Sequence, residues 1–313
     1  LWTILPDAAG AAGSIQGGII TGGSTGLGGG VMIRTGGTLT MNGGAIAGCR
    51  VNGQGGGVYV SGGGTFTMNS GTIAGCAADL DSPDAQGGGV YVCNGREADE
   101  ANNLKELARG VFTMNDGSII GCAAKNSMGG SVYIKNATRR SDYNGLFTMN
   151  GGSISDSGVS SGREEYNTIY NIGTFIANGG TVTNFGSGPY NYALFTDGIF
   201  ETKQGFSGTE FFGVARTGRH SGESGGTFNG GIFNGKVLNY DRLSGGVFES
   251  ESIVINDGDK PRCGIIIGGT FHGSVTNDGK ITGGAFESGS AVINHGEITG
   301  GIFYGTVSGA GTI

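Results

Sequence analysis

The chain has 313 residues, 71 of them glycine, and a net charge of −7 with no basic run. That charge balance argues against nucleic acid and anionic membrane as partners. With no stretch of ~18 apolar residues, membrane insertion is excluded for a helix. Aperiodic chains this rich in glycine do not fold; this one is periodic, with an apolar residue fixed in each period, so it can bury a core. Its first residues, Leu1-Trp2-Thr3, carry neither methionine nor a secretion-signal pattern, which reads as a trimmed mature chain or a segment excised from a longer one.

From about residue 14 a unit recurs. Gly-Gly-Gly-Val-Tyr-Val leads to Gly-Thr-Phe-Thr-Met-Asn and then to Gly-Thr-Ile-Ala-Gly-Cys. Asn42, Asn69, Asn115, Asn150 and Asn178 occupy one position in it, each at the end of a strand-like stretch such as Thr65-Phe-Thr-Met-Asn69. The clearest pairs, Val31 with Val58, Leu39 with Phe66 and Ile46 with Ile73, set a period of 27 residues. Each unit holds three short strands of period-2 alternation, with Phe66 and Met68 on one side and Thr65 and Thr67 on the other. Three strands and about 27 residues describe one coil of a right-handed parallel β-helix, stacked at ~4.8 Å per rung. The asparagines then form a ladder at one corner, each amide bonded to the next and to turn backbone. Insertions at 77–86, 93–110 and 135–145 map to loops on the edges of such a solenoid. Within the second, residues 95–109 read as a helix, with Leu104, Leu107 and Ala108 at i, i+3, i+4.

Wide coils extend over 1–205. An irregular bridge follows at 206–224, and shorter repeats fill 225–313. The short unit is Gly-Gly-x-Phe followed by Val-x-Asn-x-Gly-x-Ile, with phenylalanines at 233, 248, 271, 286 and 303. Its spacing fits thin coils of 15–17 residues or one composite coil of 32. The repeated Cys49, Cys76 and Cys122 share a position that matches Ser157 and Phe185 in later units, so they read as an interior stack. A disulfide between neighbouring coils is also geometrically open.

These units resemble the β-helix repeats of large bacterial surface proteins, adhesin-like or pectate-lyase-like, of the kind common in gut Firmicutes. The resemblance implies an extracellular, cell-surface location and a stalk or adhesin; any glycan or host protein is expected to meet loops on one edge, 79–86, 94–109 and 135–145, with Asp79, Asp81, Asp84 and Tyr304 as candidate contacts. It does not separate that role from a polysaccharide lyase or glycoside hydrolase, because the scaffold carries both.

The residues themselves offer few chemical groups. Charge falls mostly in the insertions. Asp79-x-Asp81-x-x-Asp84 is the one local candidate for calcium, the only cofactor suggested, and Pro83 makes it equally an ordinary turn. In the thin-coil arrangement Glu249, His272, Glu287 and Tyr304, each following a phenylalanine, fall on consecutive rungs. Two carboxylates and a histidine on one face suit acid/base work or a metal; a charge-compensated outer ladder explains them equally. Asp257, Asp278 and His295 follow asparagines in Asn-Asp-Gly and Asn-His-Gly turns. The chain is expected to be a monomer or to associate end to end through open terminal coils.

Overall fold

The computed structural model describes residues 2–4, 12–23, 26–34, 36–78, 85–95, 108–125, 129–135, 145–155, 166–171, 173–183, 191–195, 199–201, 210–212, 214–217, 227–228, 230–258 and 263–313. Among them every regular element is a strand. The chain is an all-β parallel β-helix. Three faces are built from in-register parallel pairs, each strand resting on the strand one coil earlier.

The first face is a 13-stranded sheet running from Trp2–Ile4 to Thr306–Ser308. Its early strands Val31–Ile33, Val58–Val60, Val90–Val92 and Val132–Ile134 stack residue on residue. The second face carries the Thr38–Met41, Thr65–Met68, Val111–Met114 and Leu146–Met149 stretches. Through Thr174–Ala177 and Ile199–Glu201 the same face continues to Thr227–Phe228, Arg242–Leu243, Ile265–Ile266, Lys280–Ile281 and Glu297–Ile298. The third face begins with Ile19–Thr21 and Ala45–Ala47 and ends with Ala285–Phe286 and Ile302–Phe303.

Period-2 alternation decides what lies inside. Phe66, Phe112, Phe147 and Phe175 are buried on the second face, with Met41, Met68, Met114 and Met149 beside them. Ile46, Ile73, Ile119, Ile154 and Val182 fill the third face, and Val31, Val58, Val90, Val132 and Ile169 the first. All belong to one core that continues through Val237, Val254, Val275 and Val292. Each such side chain removed from water contributes roughly 1.5–3 kcal/mol.

The shortening of the coil does not interrupt these columns. Glu210–Phe212 and Val214–Thr217, inside the 206–224 stretch, are strands paired to the coils on both sides. In the later repeats the register joins Phe271 to Phe286 and Phe286 to Phe303. Those steps of 15 and 17 residues make thin coils, each with one short strand on every face. The aromatic stack changes side as the coil narrows. Phe147 and Phe175 stack on the second face at 4.9 Å. Phe228, still on that face, lies 5.0 Å from Phe233 on the third. From there Phe248, Phe271, Phe286 and Phe303 stack 4.4–4.9 Å apart.

Cys49, Cys76 and Cys122 are free thiols with no exposed surface. Each points its Sγ at the carbonyl of the isoleucine one coil earlier, Ile20, Ile46 and Ile73. The interior stack is therefore what the structure holds, with no disulfide among the described cysteines. Residues 157 and 185 lie outside the described residues, as do 96–107 of the expected helix. The ends of that helix are not helical: Asn94–Gly95 and Ala108–Arg109 pair as antiparallel strands.

Candidate functional site

The five first-block asparagines form a single file. Asn69 donates from Nδ2 to Asn42 Oδ1, Asn115 to Asn69, Asn150 to Asn115 and Asn178 to Asn150, all at 2.7 Å. Asn42, Asn69, Asn115 and Asn150 are exposed, and only Asn178 is buried. The ladder therefore runs along the outside of the corner between the second and third faces. Beside it on the second face stands a half-buried hydroxyl column, Thr40, Thr67, Thr113 and Thr148.

A second ladder, which the sequence analysis did not expect, runs at a different corner. Asn239, Asn256, Asn277 and Asn294 close the strands of the first face and are buried. Its polarity is reversed. Asn239 donates to Asn256, Asn256 to Asn277 and Asn277 to Asn294, at 2.6–2.7 Å. Each amide also donates to a backbone carbonyl of the following turn, Ile265, Lys280, Glu297 or Thr312. The in-register column that holds these amides holds Ile33, Val60, Val92 and Ile134 in the wide coils. A polar interior column has replaced an aliphatic one.

The outer side of the first face carries a third file. Tyr59, Tyr91, Tyr133 and Tyr170 stack with centroids 5.0–5.4 Å apart and rings within 7° of parallel. They are at most 9% exposed. Cys93 donates its thiol to Tyr59 Oη at 3.4 Å, and burial pushes the Cys93 thiol up to about 11.

Glu249, His272, Glu287 and Tyr304 do fall on consecutive rungs, each amide bonding the carbonyl of the phenylalanine one coil earlier. The side chains remain apart: no hydrogen bond or ion pair joins Glu249, His272 and Glu287. Tyr304 is two-thirds exposed. Among the described residues no group of three or more His, Cys, Asp or Glu converges as a metal site. Asp79, Asp81 and Asp84 lie outside the described residues.

The residues brought together lie at the buried ladder's corner. An open groove there is lined by Gly258, Cys263, Asp278, Lys280, His295, Glu297 and Thr312. His295 Nδ1 lies 2.8 Å from Asp278 Oδ1, and Lys280 Nζ lies 3.2 Å from Glu297 Oε2. Both pairs join consecutive rungs, so side chains 17 residues apart in sequence become neighbours. Each is about half exposed and contributes at most ~1 kcal/mol. Register places Asp257 one rung before Asp278, and Gly264 donates to Asp257 O, so Cys263 lines the groove from outside this column.

The insertions share a construction. At the corner between the first and second faces, Gly37 donates to Arg34 O and Gly64 to Ser61 O, closing tight turns at 2.9 Å. On the next two coils Gly110 donates to Cys93 O and Gly145 to Lys135 O, each at 2.8 Å. The same closure holds the neck of the 94–109 and 135–145 insertions. The 79–84 segment departs elsewhere, between Ala78 and Ala85 on the way from the third face to the first.

No protein-family model, curated protein or solved structure matches the chain.

Proposed function

We propose that the chain is a non-enzymatic extracellular repeat module of a bacterial surface protein, a stalk or adhesin that contacts glycan or host protein through its inserted loops. The observation that carries this reading is the shared neck at one corner. Four successive coils close that corner with the same hydrogen bond, whether three residues or seventeen separate its ends. The rigid stack thereby presents segments of different length side by side, as scaffolded binding loops are presented elsewhere. Twelve rung spacings of ~4.8 Å give the 13-stranded sheet a length of roughly 60 Å. The neutral Thr, Ser and Asn columns of the wide coils suit a stalk that avoids stacking like charges.

Replacing 94–109 and 135–145 with the Ser61-to-Gly64 turn tests the proposal. Binding to a glycan array or to host-cell surfaces should be lost, with the circular dichroism spectrum unchanged. Binding that survives both replacements rejects the loops as the contact.

A polysaccharide lyase or glycoside hydrolase is the second reading. It is favoured by the Glu249 and Glu287 rungs, which stand two spacings apart with His272 between them. At roughly 9–10 Å that separation is near the upper end of what inverting glycosidases use. Turnover of acidic polysaccharide, with or without calcium, that vanishes in Glu249→Gln or Glu287→Gln would decide for this reading.

A further inference from the structure

We propose that Asn42, alone among the five residues of the exposed ladder, is a site of spontaneous deamidation, and that the polarity of the ladder makes it so. Three ladder residues precede glycine: Asn42-Gly43, Asn150-Gly151 and Asn178-Gly179. Glycine has no Cβ to shield its backbone nitrogen, so in each case that nitrogen can attack the preceding side-chain amide carbon. In the reaction the Gly43 N–Cγ bond forms and the Cγ–Nδ2 bond breaks. Ammonia leaves, taking up the proton from the glycine nitrogen. Water then opens the cyclic imide to aspartate or isoaspartate, so the balance is amide plus water to carboxylate plus ammonium.

The three steps differ in what restrains the leaving nitrogen. Asn150 Nδ2 donates to Asn115 Oδ1, and Asn178 Nδ2 donates to Asn150 Oδ1. Either must break a 2.7 Å hydrogen bond before ammonia can depart. Asn42 is the terminal rung. Its Oδ1 accepts from Asn69, and its Nδ2 donates to no group among the described residues. It is also exposed, whereas Asn178 is buried. The backbone is less confined as well. A Cβ on Gly151 would lie 2.5 Å from Asn115 O, but one on Gly43 would come no closer than 3.0 Å, to Gln16 O.

The aspartate product is tolerated at the same rung. A carboxylate only accepts hydrogen bonds. An aspartate at 42 still accepts from Asn69 Nδ2, now as a charge-assisted bond. At 150 it would set carboxylate oxygen against Asn115 Oδ1, acceptor against acceptor.

The test is incubation of the folded full-length chain at mildly alkaline pH, with peptide mapping that resolves aspartate and isoaspartate at 42, 150 and 178. The same chain in denaturant supplies the intrinsic rates. Residue 42 is expected to convert roughly five- to tenfold faster than 150 or 178 when folded, the worth of one hydrogen bond. In denaturant the three rates should converge. Equal rates in the folded chain, or a slower rate at 42, would overturn the proposal. So would a second result: Asn42→Asp shifting the unfolding midpoint as far as Asn150→Asp does. The expected outcome is that Asn42→Asp leaves the midpoint in place and Asn150→Asp lowers it.

Discussion

The two asparagine ladders have side-chain bonds of nearly the same length but differ in access to water and in the carbonyl bond each buried amide adds, so truncating one residue in each compares a closed site with an open one. Asn277→Ala removes the amide between Asn256 and Asn294. One hydrogen on Asn256 Nδ2 and the acceptor Asn294 Oδ1 are then left in a place closed to solvent. The corner glycines pack directly on these amides. A Cβ on Gly264 would lie 2.5 Å from Asn256 Oδ1, and one on Gly311 2.5 Å from Asn294 Nδ2. Two stranded polar groups at ~1–3 kcal/mol each give a loss of roughly 2–6 kcal/mol. Asn115→Ala breaks two bonds of similar length, to Asn69 and Asn150. Water occupies both vacated positions, and the loss is about 1 kcal/mol. Because stacked repeats open piece by piece, the assay is native-state hydrogen exchange of the flanking strands, Ser274–Asn277 in one variant and Val111–Met114 in the other. The opening constant should rise at least ~5-fold more for Asn277→Ala than for Asn115→Ala, the equivalent of ~1 kcal/mol. Equal effects, or a larger effect at Asn115, would refute the claim that desolvation, and not the ladder bond itself, sets the value of these amides.

Phe271 has no exposed surface and lies between Phe248 at 4.4 Å and Phe286 at 4.7 Å; Phe271→Ala should cost about 3–5 kcal/mol, read from the same exchange experiment on the neighbouring coils. Gly71 sits at φ +103°, with an added Cβ 2.7 Å from Met41 Cε and 2.8 Å from Gly44 O, so Gly71→Ala should lower the melting temperature by more than an exposed Gly→Ala change. A thiol reagent should label Cys263, which is exposed, in the native chain, and the four buried cysteines only after denaturation. Hydrogen bonding to Cys122 together with burial pushes the Cys76 thiol up to about 12 from an unfolded value of 9.0. Folding therefore favours the protonated thiol. That contribution is complete below pH 9 and is lost as pH rises toward 12, so native labelling of Cys76 should stay suppressed at pH 9. Fast labelling there would contradict the buried stack.

Stacking was legible in the sequence because a fixed residue at a fixed place in each repeat has no other use. The side of the strand was legible too, through parity. Met41 faces inward, so the next residue, Asn42, must face out. Val237 faces inward, so Asn239, two residues on, must face in. The cross-rung pairs Asp278–His295 and Lys280–Glu297 needed the thin coil to be settled first, since only a 17-residue step sets them side by side. The direction of each ladder has no signature in composition or spacing. It follows from which way the amides rotate once the backbone is in place. The stacked tyrosines were visible as a repeated Val-Tyr-Val, but outward parity alone would have placed them in water. Their burial comes with packing on one another and on Cys93, Leu27 and Met32.

The necks at Cys93–Gly110 and Lys135–Gly145 separate two problems that most proteins must solve together. Folding depends on the coil, and the coil ends at the closing hydrogen bond; whatever passes beyond it answers to other demands. Selection can lengthen, shorten or rewrite such a segment without renegotiating the register below. The design resembles a socket more than a surface: a fixed fitting into which unrelated sequences can be seated, one coil after another.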